Sequence, residues 1–132
     1  MGSAIHVLII EDSPSQAAII ANIVSEAGYR VSVYTALPTG IVELLLTEEP
    51  DIVLLDLMLL DEDGKAMADG FQLCRDIKRA HAEIPVVVVT SEGEEEACEW
   101  ALLQGADAFL QKPFAKEDLV QVIEETLKEC SD

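Results

Sequence analysis

Four strand-forming runs in this sequence end on side chains that can do chemistry. "IHVLII" (5–10) runs into Glu11-Asp12, "DIVLLD" (51–56) stops on Asp56, "IPVVVVT" (84–90) stops on Thr90, and "DAFLQ" (107–111) leads to Lys112-Pro113. Carboxylates gathered at one place repel by about 4 kcal/mol a pair at roughly 4 Å and an effective dielectric of about 20. A cation or a bound proton relieves that repulsion. Oxygen-only ligands with room for water suit Mg²⁺ (or Mn²⁺), which takes one or two carboxylates together with a phosphoryl oxygen. Asp56, at the tip of an apolar strand, is then the natural nucleophile for a covalent aspartyl phosphate. Thr90 is placed to donate a hydrogen bond to a phosphoryl oxygen, and Lys112 to offset its charge.

For these groups to meet, the chain must fold as strands whose carboxyl ends share one edge. The third and fourth runs are almost continuous Val, Ile and Leu, the pattern of strands buried on both faces of a parallel sheet. A fifth run, "RVSVYT" (30–35), follows the first in sequence and is also of strand type. Helix-type segments alternate with the runs. "SPSQAAIIANIVSEAG" has Ser13 as N-cap, Pro14 in the first turn and Gly28 as its stop, with Ala17, Ile20, Ala21, Ile23, Val24 and Ala27 at helical spacing. "TGIVELLLTEE" ends before Pro50 and "FQLCRDIKRAH" before Ile84-Pro85. "EEEACEWALLQG" stops at Gly105, and "KEDLVQVIEETLKEC" closes the chain. Five βα units predict a doubly wound (βα)5 three-layer sandwich around a five-stranded parallel sheet. By analogy its strand order is flavodoxin-like, with ligands at the carboxyl ends of the strands. The units fill residues 1–132 as one domain, with 1–4 as an unordered start or cloning remnant.

The chain carries 26 acidic and 8 basic residues, a net charge of −18. That surface repels phosphate backbones and anionic lipid, which argues against direct nucleic-acid or membrane binding and for cations and basic protein surfaces. Cys74, Cys98 and Cys130 are far apart and lack metal-ligand spacing, as free thiols of a cytoplasmic protein would be. Neither a signal peptide nor a membrane-length apolar run is visible. His6 and His81 have no partner at metal spacing, and Trp100 is expected against the sheet or near an output face.

Taken together, "VLIIEDSP", "IVLLDLML", "VVVVTSE" and "FLQKPF" resemble the receiver domain of two-component response regulators, in order and over essentially the whole chain. The resemblance implies a phosphoprotein of signal transduction. A histidine kinase or histidine phosphotransfer protein gives its phosphoryl group to Asp56. Mg²⁺ is held by Glu11, Asp12, Asp56 and the backbone carbonyl of Met58. Thr90 and Lys112 complete the site, and Phe109 falls on the aromatic switch position. Phosphorylation then draws Thr90 inward, lets the ring rotate, and reshapes the face of the fourth helix, fifth strand and fifth helix toward a downstream protein or output domain. Such a chain is a switch that assists its own phosphorylation and dephosphorylation, not an enzyme acting on a metabolite. Positions that modulate acyl-phosphate hydrolysis in the family fall on Met58 and Glu92.

This sequence departs from the family pattern after Asp56. Leu60 stands where a proline is usual, and Asp-Gly is written twice, at Asp63-Gly64 and Asp69-Gly70, around an inserted "KAMADG". The insertion reads either as a surface loop or as a shield or kinase contact, with Lys65 its candidate residue. Phe109 reads as switch or as core filler. "EGEEEACE" (92–99) reads as a solvated helix start or as a docking patch for a basic partner. Two other functions stay open: a phosphorylation-independent interaction module, and a phosphoaspartate phosphohydrolase. The hydrolase would want an aspartate where Met58 stands. The cognate kinase, the partner, and a homodimer through the last two helices are not legible.

Overall fold

A computed structural model describes residues 4–35, 40–56, 58–60, 66–90, 105–112 and 114–130. The side chains of 58–60, 66–71, 90 and 129–130 fall outside that description. In chain order the elements are β1 (His6–Ile10), α1 (Pro14–Glu26), β2 (Arg30–Tyr34), α2 (Ile41–Glu48), β3 (Ile52–Asp56), β4 (Met58–Leu60), β5 (Ala66–Asp69), α3 (Gly70–Ala80), β6 (Val86–Thr90), β7 (Ala108–Gln111) and α4 (Lys116–Cys130). Of the helix expected over 94–105, Gly105 is described, while 94–104 with Trp100, and the acidic run 92–99, lie outside the described residues.

Five strands form one sheet in the order β2-β1-β3-β6-β7, and every pair in it is parallel. This is the flavodoxin-like order expected by analogy, on the parallel sheet that the alternation predicts. Alternate side chains of the strands feed two separate cores. Leu8, Ile10, Val53, Leu55, Val86 and Val88 pack under Ile41, Leu44 and Leu45 of α2 and Leu73, Cys74 and Ile77 of α3. On the other face, Val7, Ile9, Ile52, Leu54, Val87 and Val89 meet Ile20 and Val24 of α1 and Leu119 and Ile123 of α4. β3 is buried along its whole length because both of its faces are covered.

Local chemistry sets the boundaries. Ser13 caps α1 by accepting from the Gln16 amide at 3.4 Å, and Pro14 occupies the first turn. The α2 helix ends on Glu49, whose φ of 48° turns the chain out of the helix before Pro50. At the amino end of β6, Lys78 Nζ donates to the carbonyls of Ala82 and Ile84 at 3.0 Å and to Asp107 Oδ2 at 2.9 Å. The same Asp107 oxygen accepts from the Val86 amide at 2.8 Å, so one lysine and one aspartate tie α3, β6 and the approach to β7 together.

The surface-loop reading of the insertion needs correction. Met58–Leu60 and Ala66–Asp69 pair as an antiparallel ribbon, with Met58 opposite Asp69, Leu59 opposite Ala68, and a register irregularity at Leu59/Leu60. The residues between them, 61–65, including Lys65 and the first Asp-Gly, lie outside the described residues. An Asp-Gly flanked by short apolar runs is a hairpin signal in its own right. The second Asp-Gly closes β5 at Asp69 and opens α3 at Gly70. No helix among the described residues is long and apolar enough to cross a membrane.

Candidate functional site

The parallel sheet delivers the chemistry-bearing residues to one edge. β1 and β3 are neighbours, with Ile10 opposite Leu55, so Glu11 and Asp56 emerge side by side one residue further on. The Glu11 amide still donates to the Tyr34 carbonyl at 3.1 Å, which holds the chain in extended geometry just past β1. β6 lies on the other side of β3 and ends on Thr90. β7 follows and ends on Gln111, opposite Thr90, immediately before Lys112.

Glu11, Asp12 and Asp56 come together as expected. Each offers a carboxylate oxygen, and these oxygens lie within 4.8 Å of one another. Glu11 is 2 % exposed and Asp56 8 %, so the acids are crowded where water cannot screen them well. Burial pushes the Glu11 carboxyl above its ordinary range, and its contact with Asp56 pushes it the same way. Lys112 opposes that rise: its Nζ donates to Glu11 Oε1 and stands 3.6 Å from Asp56 Oδ2. The second Glu11 oxygen accepts from the Ser13 amide at 3.3 Å, which ties the acid to the start of α1.

Three converging carboxylates and one ammonium leave a net negative charge that a hard cation would neutralise. The donor set is all oxygen and suits Mg²⁺ or Mn²⁺. One terminal acid is buried and uncomfortable as an anion, which is the condition a cation relieves. The pocket can therefore hold a divalent ion beside a carboxylate nucleophile.

Other expected site residues are placed less fully. Met58 opens β4, two residues past Asp56. Thr90 ends β6, two residues past Val88, the register partner of Phe109. Phe109 is half-buried and packs against the core under α2 and α3, which suits either reading of it. Glu92 and Lys65 lie outside the described residues.

Two features escaped the sequence reading. Gln16 Oε1 accepts from Lys112 Nζ at 2.5 Å, across 96 positions of sequence. Its one sequence signal is its place in the first turn of α1, just after the Glu11-Asp12 pair. His6, away from this edge, is also more than a strand residue. Its Nε2 pairs with Ser32 Oγ at 2.7 Å, and Ser32 donates to Glu48 at 2.6 Å, as Tyr34 does at 2.5 Å. That network fastens β1, β2 and α2, and its Tyr34 also accepts from the Glu11 amide through its backbone carbonyl.

A family model described as the response regulator receiver domain matches residues 7–124. The nitrogen assimilation regulatory protein NtrX of Azorhizobium caulinodans is 33% identical over 123 residues, covering 92% of this chain and 26% of that protein. The chain thus spans about a quarter of the length of this curated relative. Among solved structures, the receiver domain of NtrX from Brucella abortus is 29% identical with a TM-score of 0.81, over 92% of this chain and 98% of that one. A CheY-like receiver domain protein from Methanospirillum hungatei is 25% identical with a TM-score of 0.84, over 98% of each chain.

Proposed function

This chain belongs to the response regulator receiver domain family, and from that premise we propose that it is a phosphoacceptor switch charged on Asp56. The observation that carries the proposal is the meeting of Glu11, Asp12 and Asp56 beside the Lys112 ammonium, at the carboxyl edge of the sheet. A divalent cation, Mg²⁺ in the first place, would be held by those three carboxylates and the Met58 carbonyl and would supply charge neutralisation for the incoming phosphoryl group.

The protein's own residues do the rest. An Asp56 carboxylate oxygen attacks phosphorus, the bond from phosphorus to the donor nitrogen or oxygen breaks, and its electron pair leaves with the donor. β3 is packed on both faces, so Asp56 is presented rigidly for that attack. Lys112 shifts its ammonium from the carboxylates to a phosphoryl oxygen, and the Thr90 hydroxyl donates to another. Phe109, half-buried beside the α2/α3 core, then changes packing and converts the charge event into a new surface.

The donor is a histidine kinase or histidine phosphotransfer protein, and the product face acts on a downstream protein or on an output domain of a longer regulator. Likeness to one part of NtrX supports the regulator class. The working compartment is the cytoplasm, and the chain is not itself an enzyme for a separate metabolite.

The test uses the protein with Mg²⁺ and acetyl phosphate, read by intact mass. One added phosphoryl group is expected on wild type and none on Asp56→Ala. Labelling that persists in Asp56→Ala, or a wild type that takes no label, overturns the proposal.

A further inference from the structure

Lys112 is bonded to more than the acids. An ammonium has three N–H donors and no acceptor. One goes to Glu11 Oε1 and a second to Gln16 Oε1 at 2.5 Å, while Asp56 Oδ2 stands at 3.6 Å, beyond hydrogen-bond reach. The two acceptors differ in kind. Glu11 is a carboxyl buried just past the end of β1, for which the lysine is the counter-charge at hand. Gln16 is a neutral amide on the exposed first turn of α1, and it needs no ammonium to be satisfied.

From this asymmetry we infer that Gln16 is a positioning residue: it latches the Lys112 ammonium on the α1 side in the uncharged protein, and charging of Asp56 requires that bond to be released. The inference rests on the receiver reading of the site. When the acyl phosphate forms, its anionic oxygen is a stronger acceptor for Lys112 than a neutral amide oxygen. The latch therefore yields to the product but lowers the fraction of molecules whose lysine is ready beforehand. The observed rate falls in proportion to that fraction.

Three variants and two readouts test the latch. Gln16→Met keeps the length of the side chain and removes the acceptor. Labelling of Asp56 by acetyl phosphate at fixed Mg²⁺ is expected to accelerate about three- to tenfold, the range of one ordinary net hydrogen bond at an exposed site. Gln16→Glu keeps an acceptor and strengthens it, so labelling is expected to slow. In a Lys112→Met background both substitutions must leave the residual rate unchanged, because the residue they act through is gone. An effect that survives there overturns the latch, as does an unchanged or slower rate in Gln16→Met.

The second readout needs no phosphorylation. Acylation of the Lys112 amine by a succinimidyl ester, mapped by peptide mass, is expected to be faster in Gln16→Met than in wild type and slower in Gln16→Glu. If Asp56 never accepts label but Lys112 reactivity follows this order, the receiver reading fails while the Gln16–Lys112 bond itself stands, stripped of its role in charging. If label appears and Lys112 reactivity is indifferent to Gln16, the latch fails alone.

Discussion

Glu11 shows what the site costs before it does any work. Its carboxyl is buried, touches Asp56, and is lifted above the ordinary carboxylate range despite the lysine beside it. The sign follows directly. A folded-state carboxyl raised above its unfolded value weakens the fold as pH rises from the unfolded value through the folded one. At neutral pH the buried Glu11 carboxyl therefore works against the metal-free fold, an effect that a neutral amide would remove. Glu11→Gln is expected to stabilise the metal-free protein by about 1–2 kcal/mol, seen as a higher thermal midpoint by calorimetry in chelator. A lower midpoint would mean that the Lys112 and Ser13 contacts outweigh the crowding. The carboxylates were legible in sequence because each ends an unmistakable apolar run. Gln16 was not, because nothing local relates it to a lysine 96 positions away.

At the scale of elements, short contacts between neighbours decide what stays in register. Glu48 at the end of α2 accepts from both Ser32 and Tyr34, and those donors hold its carboxyl below the ordinary range, Ser32 first. Tyr34 is moved the other way, because its hydroxyl is bonded to that carboxylate. The depressed acid contributes stability above its unfolded value and loses it as pH falls through the folded one. The raised phenol contributes below its unfolded value and loses it as pH rises through the folded one. Tyr34→Phe is thus expected to cost about 0.5–1.5 kcal/mol in denaturant unfolding at neutral pH. The cost should shrink at acid pH where Glu48 is protonated; a constant difference across pH would show that the lost contact is not the cause.

Gly105 carries a second element-scale prediction. Its φ is +100°, and a Cβ there would stand 3.0 Å from Lys78 Cγ, the lysine that ties α3 to β6. Gly105→Ala is expected to lower unfolding stability by about 1–2 kcal/mol through backbone strain alone. It should cost more if Lys78 must leave Asp107. The same scale explains where sequence reading failed. β4 has 3 residues and β5 has 4, too short to display a period, so the segment after Asp56 read as loop. Buried strands such as β3 announced themselves because both covers, α2/α3 and α1/α4, demand apolar residues from Ile52 through Leu55.

At the scale of the whole molecule, a net charge of −18 on 132 residues makes any cation stabilising to some degree. Self-repulsion is screened by monovalent salt over a Debye length of about 10 Å at 0.1 M, so the thermal midpoint is expected to rise gradually with KCl. A specific site behaves differently. Binding to the folded state alone adds RT ln(1 + [L]/Kd), about 2.7 kcal/mol at a hundredfold excess over Kd. Mg²⁺ titrated into a constant, high background of KCl should therefore give a further rise that follows this logarithm. Asp12→Asn separates the two contributions. It removes one of the three converging carboxylates but only one charge from the total. The KCl response should survive almost unchanged, while the Mg²⁺ response should need roughly tenfold or more ion to reach the same midpoint. If Asp12→Asn leaves the Mg²⁺ curve where it was, the ion acts as atmosphere around an acidic surface, and the three carboxylates at the strand ends are not its site.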